Sequence, residues 1–173
     1  MTLSPRHILT PLCVLILLGM AAGCNSDCTE NQNAIPLAGF YAADSTASQL
    51  TLSGLRVYGI GAPGDSVLFE GTSSASQLYL PFRVDSDNTV YEFTLTKGSG
   101  DSSREISSRV SFNYTRTPKF VSRECGVSFV YGIRSIDCSG ELIDSVTCPM
   151  GEITNVNIEN LHIYFSPSAI AAE

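Results

Sequence analysis

From Leu37 onward the chain consists of short runs rich in β-branched and aromatic residues, separated by Gly, Asp, Ser and Asn. Within the runs apolar and polar positions alternate, the pattern of a strand with one buried face and one wet face. The clearest cases set Tyr91, Phe93 and Leu95 against Glu92, Thr94 and Thr96, and Val110, Phe112 and Tyr114 against Ser111, Asn113 and Thr115. Leu78, Leu80 and Phe82 form an earlier inward set, and Val127, Phe129, Tyr131 and Ile133 a later one. In the last run the phase shifts between Ile158 and Leu161 before Leu161, Ile163 and Phe165 continue it, which predicts a bulge near Asn160. Strands are expected over 37–43, 49–60, 65–70, 76–83, 90–97, 106–117, 127–138, 142–148 and 155–165. The expected fold class is all-β, a single antiparallel β-sandwich (Ig-like or Greek-key) of about eight or nine strands stapled by disulfides. It occupies residues 37–166, with 167–173 as a frayed tail.

Before Leu37 the pattern changes. Arg6 precedes an apolar run that ends in Ala21-Ala22-Gly23-Cys24, the layout of a secretory signal. The run from Ile8 to Gly23 is broken by Thr10 and Pro11, whereas a membrane-spanning helix needs about 20 predominantly apolar residues. The Ala-Ala-Gly-Cys ending resembles the lipobox of bacterial lipoproteins. That resemblance implies that residues 1–23 are removed and that the Cys24 sulfur carries diacylglycerol, with N-acylation (palmitate-type chains) to follow. Two or more acyl chains anchor a protein stably. Ordinary signal cleavage, giving a soluble secreted protein, is the plainer alternative. Residues 24–36 read as a lipidated N-terminus and a short polar tether.

The roughly 150 residues left after cleavage suffice for one domain that buries about two thirds of its unfolded surface. With Arg6 removed, the Lys and Arg total falls to 9 against 17 acids, a net charge of −8, which disfavours nucleic acid as a partner. His162 is the one histidine beyond the signal, and zinc sites and nucleophilic triads mostly rest on histidine. The plain reading of His162 is a strand residue, and no metal, cofactor or catalytic residue is expected. Beyond Cys24, four cysteines remain, Cys28, Cys125, Cys138 and Cys148, which allow three disulfide connectivities in an exported chain. Ser139-Gly140-Glu141 reads as a hairpin turn that would bring Cys138 across to Cys148.

Cys24 and Cys28, Leu55-Arg56-Val57-Tyr58-Gly59-Ile60-Gly61, Asp65-Ser66, Leu78-Tyr79-Leu80-Pro81, Phe112-Asn113-Tyr114, Phe120-Val121-Ser122-Arg123-Glu124-Cys125-Gly126, Ile143-Asp144-Ser145-Val146 and His162-Ile163-Tyr164-Phe165 stand in an order and spacing that carry a resemblance. Together they resemble a family of small, uncharacterised envelope lipoproteins of the Bacteroidetes, a domain of unknown function. The resemblance implies an envelope lipoprotein and supplies no activity. The family's usual cysteines correspond to Cys28 and Cys125, which implies that these two are paired. A locked Cys28 would stand four residues from the lipid, a reach of at most about 14 Å.

Charge is uneven. Lys97, Arg104, Arg109, Arg116, Lys119, Arg123 and Arg134 form a basic block inside an acidic chain. It reads either as a surface for an anionic lipid or glycan or, more plainly, as cross-strand pairing with flanking acids. Asp85-Ser86-Asp87-Asn88 offers oxygen ligands of the kind calcium takes, but Val90 stands where an EF-hand needs glycine, so a turn is expected. Ser45, Ser66 and Ser145 follow aspartates in a pattern similar to the O-glycosylation acceptor of exported Bacteroidetes proteins. The expected role is a noncatalytic structural or interaction module at the outer membrane, on its periplasmic or surface face. Its partner would be an unidentified envelope protein or an anionic lipid or glycan. A carrier that opens between its sheets for an apolar or anionic ligand is the alternative.

Overall fold

A computed structural model describes residues 34–44, 46–62, 66–98, 103–123 and 126–171. The alternating runs become strands β1 (Leu37–Ala42), β2 (Leu55–Ile60), β3 (Val67–Phe69), β4 (Gln77–Tyr79), β5 (Asn88–Lys97), β6 (Arg104–Ser122), β7 (Gly126–Gly140), β8 (Ile143–Thr147), β9 (Glu152–Ile153) and β10 (Glu159–Phe165). The molecule is nearly all β, and its strands form two sheets, ordered β4-β1-β10-β8 and β3-β2-β5-β6-β7-β9. The inward residues of both sheets join one buried core. Tyr91, Phe93 and Leu95 of β5, Val110, Phe112 and Tyr114 of β6, and Leu161, Ile163 and Phe165 of β10 are all buried, as alternation predicts. Between β4 and β5 the chain crosses from one sheet to the other. There Phe82 stacks on Tyr114 with ring centroids 4.6 Å apart and lies 5.1 Å from Phe112 and 5.4 Å from Tyr131.

The bulge appears where the phase shift places it. Leu37 pairs with Glu159 and Ala38 with Leu161, so Asn160 is the extra residue, and its Oδ1 accepts the Leu37 N–H at 3.3 Å. That pairing also corrects an expectation, because β1 and β10 run parallel. They stand at opposite ends of the domain's sequence, joined by all of the intervening chain, so the crossover that parallel strands need is already supplied.

Three further corrections concern single elements. The run over 49–60 forms a strand only from Leu55, with Gln49 and Leu52 in isolated bridges. In β7 the expected inward set fails at Val127, which is exposed, while Ser128 and Val130 of the opposite phase are buried. The register of β7 against β6 shifts between Asn113 and Tyr114, which leaves Arg134 as an extra residue. The tail is not wholly frayed, since Pro167–Ile170 form one helical turn, α1, that buries Ala169.

The largest departure lies between β7 and β8. Gly140 has φ +114°, and a side chain there would meet the Ser107 carbonyl oxygen at 2.4 Å, so only glycine fits. Just beyond it, the Leu142 and Ile143 N–H groups both donate to Ser108 Oγ, each at 2.9 Å. The chain thereby turns a corner from the six-stranded sheet into the four-stranded one. Ser139-Gly140-Glu141 is a corner and not a hairpin turn. Cys138 therefore lies in one sheet and Cys148 just past β8 of the other, and the expected bridge between them is not formed: both are free thiols.

Candidate functional site

The residues singled out in the sequence scatter over the fold. Cys24, Cys28, Cys125 and Ser45 lie outside the described residues. Cys138 and Cys148 are half-buried against the core, and burial pushes both thiols above their ordinary pKa, which lowers their thiolate fraction in the folded protein. Ser66 is exposed just before β3, whereas Ser145 is half-buried inside β8, opposite Tyr164.

The basic block divides. Arg109 reaches Glu92 and Arg116 reaches Asp87, each at 2.8 Å, and Arg104 lies 3.6 Å from Glu141, while Lys97 Nζ donates to the Ala171 carbonyl. The Arg109 guanidinium holds the Glu92 carboxyl below the usual carboxylate range. Lys119, Arg123 and Arg134 make no ion pair among the described residues. Cross-strand pairing thus accounts for part of the block and leaves the far end of β6 positively charged.

The Asp85–Asn88 loop is a turn whose carboxylates are already engaged. Asp85 takes both Nε and Nη2 of Arg83 at 3.2 Å, and Asn88 Nδ2 donates to Ser111 Oγ at 2.9 Å and to Asn113 Oδ1 at 2.8 Å. Among the described residues no cluster of three or more His, Cys, Asp or Glu could hold a metal ion.

Sequence reading missed the cluster around His162. In the four-stranded sheet Ala38, Phe40 and Ala42 point into the core, which leaves Gly39 and Tyr41 on the outer face. The parallel register sets Gly39 beside His162 and Tyr41 beside Tyr164. Gly39 is a glycine for a local reason: a Cβ there would stand 2.2 Å from the Glu159 carboxylate, which lies over the bare backbone. From that seat Glu159 Oε1 accepts the Tyr41 hydroxyl at 2.6 Å and lies 3.2 Å from His162 Nε2. Tyr41 lies 5.0 Å from the His162 ring and 5.9 Å from Tyr164, centroid to centroid. The hydrogen bond to Glu159, helped by desolvation, pushes the Tyr41 phenol up to about 12. His162 was visible in the sequence. Its companions were not, because Tyr41 and Glu159 are 118 residues apart and meet only through the parallel pairing.

The result is a sheet face with three half-buried rings and a carboxylate fixed between a phenol and an imidazole. Rings of this kind stack on flat apolar groups, and the carboxylate and imidazole orient polar ones. The face is suited to recognition.

No curated protein matches the chain, and no solved structure does either. The sequence profile of a family of unknown function, DUF6452, matches residues 54–165, from just before β2 to the end of β10. That match covers well over half of the sequence, and the chain belongs to the DUF6452 family.

Proposed function

We propose that this chain is a noncatalytic envelope lipoprotein whose domain is an interaction module, tethered to the outer membrane through a lipidated Cys24. The two sheets pack face to face as a β-sandwich, and a Cys28–Cys125 disulfide joins the tether to it. One observation carries the interaction reading. The ring and ionisable chemistry of Tyr41, Glu159, His162 and Tyr164 stands on an outer sheet face, while Phe40, Phe82, Phe93, Phe112 and Phe165 fill the interior. A carrier would keep that interior for its ligand. A protein that works by contact keeps its chemistry outside.

Thr147 is exposed opposite His162, and Gln77 is exposed opposite Gly39, so each can take a photo-crosslinking side chain without disturbing the core. In intact cells both positions are expected to give a discrete adduct with one envelope component, lost when Tyr41 and His162 are replaced by Ala. A lone monomer at both positions would refute the reading.

A further inference from the structure

The two sheets share one end at which the chain enters. β1 and β10 begin there and β4 finishes there, because β1 pairs parallel to β10 and antiparallel to β4. The Ala34 N–H donates to the Phe129 carbonyl at 3.3 Å, which ties the same end to the first half of β7. The β6–β7 hairpin projects past its neighbour here, since β5 begins at Asn88, opposite Asn113, and β6 continues to Ser122. Near its tip Phe120 pairs with Val127, and they are 74% and 52% exposed. Met150 and Val156, 69% and 57% exposed, flank β9, which pairs with Tyr131 and Gly132 of the same overhang. Apolar groups this open, gathered at one end, mark a contact surface. Lys119 and Arg123 stand among them without an ion pair among the described residues.

Resting on the lipoprotein reading above, we propose that this end docks on a bilayer bearing anionic headgroups, with Phe120, Val127, Met150 and Val156 entering the interface and Lys119 and Arg123 meeting the headgroups. Two features select a bilayer as the occupant. The first is charge: the mature chain is acidic, so an anionic surface repels most of it, whereas Lys119 and Arg123 draw this end toward it, with Glu152 of β9 the exposed carboxylate beside them. The second is reach. Cys24 lies ten residues before Ala34, at most about 36 Å of extended chain, so a lipid on Cys24 holds the bilayer close to where the chain enters.

The sequence contains no tryptophan, so Phe120→Trp introduces a single fluorescent reporter at an exposed site. The protein purified from membranes, its mass at Cys24 measured first, is placed with vesicles of phosphatidylcholine alone or mixed with phosphatidylglycerol. With phosphatidylglycerol present, emission at position 120 is expected to shift to the blue and to be quenched by brominated acyl chains, whereas a Glu141→Trp reporter beside the corner between β7 and β8 does not respond. Replacing Lys119 and Arg123 by Glu is expected to weaken the contact by at least about fivefold for each charge removed. Water-like emission at position 120 in the lipidated protein overturns the proposal, as does a shift that ignores both charge reversals or one that follows protein concentration through dimer formation. An unmodified mass at Cys24 sinks the anchor instead, and the unlipidated protein then tests the surface by the same shift on added vesicles.

Discussion

Ser108 is 1% exposed, and its hydroxyl takes two backbone N–H groups at the corner where the chain changes sheets. Ser108→Ala leaves both donors without that acceptor, and Leu142 beside them is fully buried, so a loss of about 2 to 4 kcal/mol is expected in denaturant unfolding. Gly140→Ala should be at least as severe, because the clash there is with backbone. Gly39→Ala makes a contrast. Its clash is with the far end of the Glu159 side chain, which can swing away at the cost of its bonds to Tyr41 and His162. Glu159→Ala removes the same bonds directly. In both variants the Tyr41 phenol, held up at about 12, should return toward about 10, read as the difference between ultraviolet titrations with and without Tyr41→Phe. The folded state keeps the proton on Tyr41 more strongly than the unfolded state does. The stability from this bond is therefore complete below about pH 10 and is lost as pH rises through about 12. A Tyr41 titration unchanged by Glu159→Ala would refute this account of the cluster.

At the scale of elements, alternation was a sound guide wherever a strand has a sheet beneath it and neighbours on both sides. β5, the first half of β6 and β10 obey it, and the broken phase in the last run marked the bulge at Asn160 correctly. It failed in the first half of β7, where Ser128 and Val130 are buried in place of Val127, because that half belongs to the overhang, which has no β5 beside it. Gly140 was visible as a turn residue, but whether a glycine closes a hairpin or turns a corner depends on the sheet that the next strand joins, which local pattern does not encode. The Tyr41–Glu159–His162 cluster was hidden for the same reason. The overhang carries a prediction of its own: amides of Val110 and Phe112, paired within the sheet on both sides, should be among the slowest to exchange. Those of Lys119 and Phe120 should exchange much faster and slow on anionic vesicles. Equal protection along β6 would contradict this.

For the whole molecule, the arrangement is polar in the plain sense of having two unlike ends. One end holds the incoming chain, the exposed apolar Phe120 and Val127, and positive charge without an ion pair among the described residues; the other holds the corner at Gly140 and the α1 turn. The anchor, the disulfide of the tether and the docking end fit together only if the chain is exported and lipidated. A thiol count in denaturant without reductant bears on this. Two reactive thiols are expected, from Cys138 and Cys148, whereas four would mean that Cys28 and Cys125 are not bridged and none would mean that the corner pair is. The anchor itself is tested most directly by the intact mass of the protein extracted from envelope membranes. The account predicts a chain that begins at Cys24 and carries diacylglycerol with or without a further acyl group; an unmodified chain recovered free in the medium would contradict it.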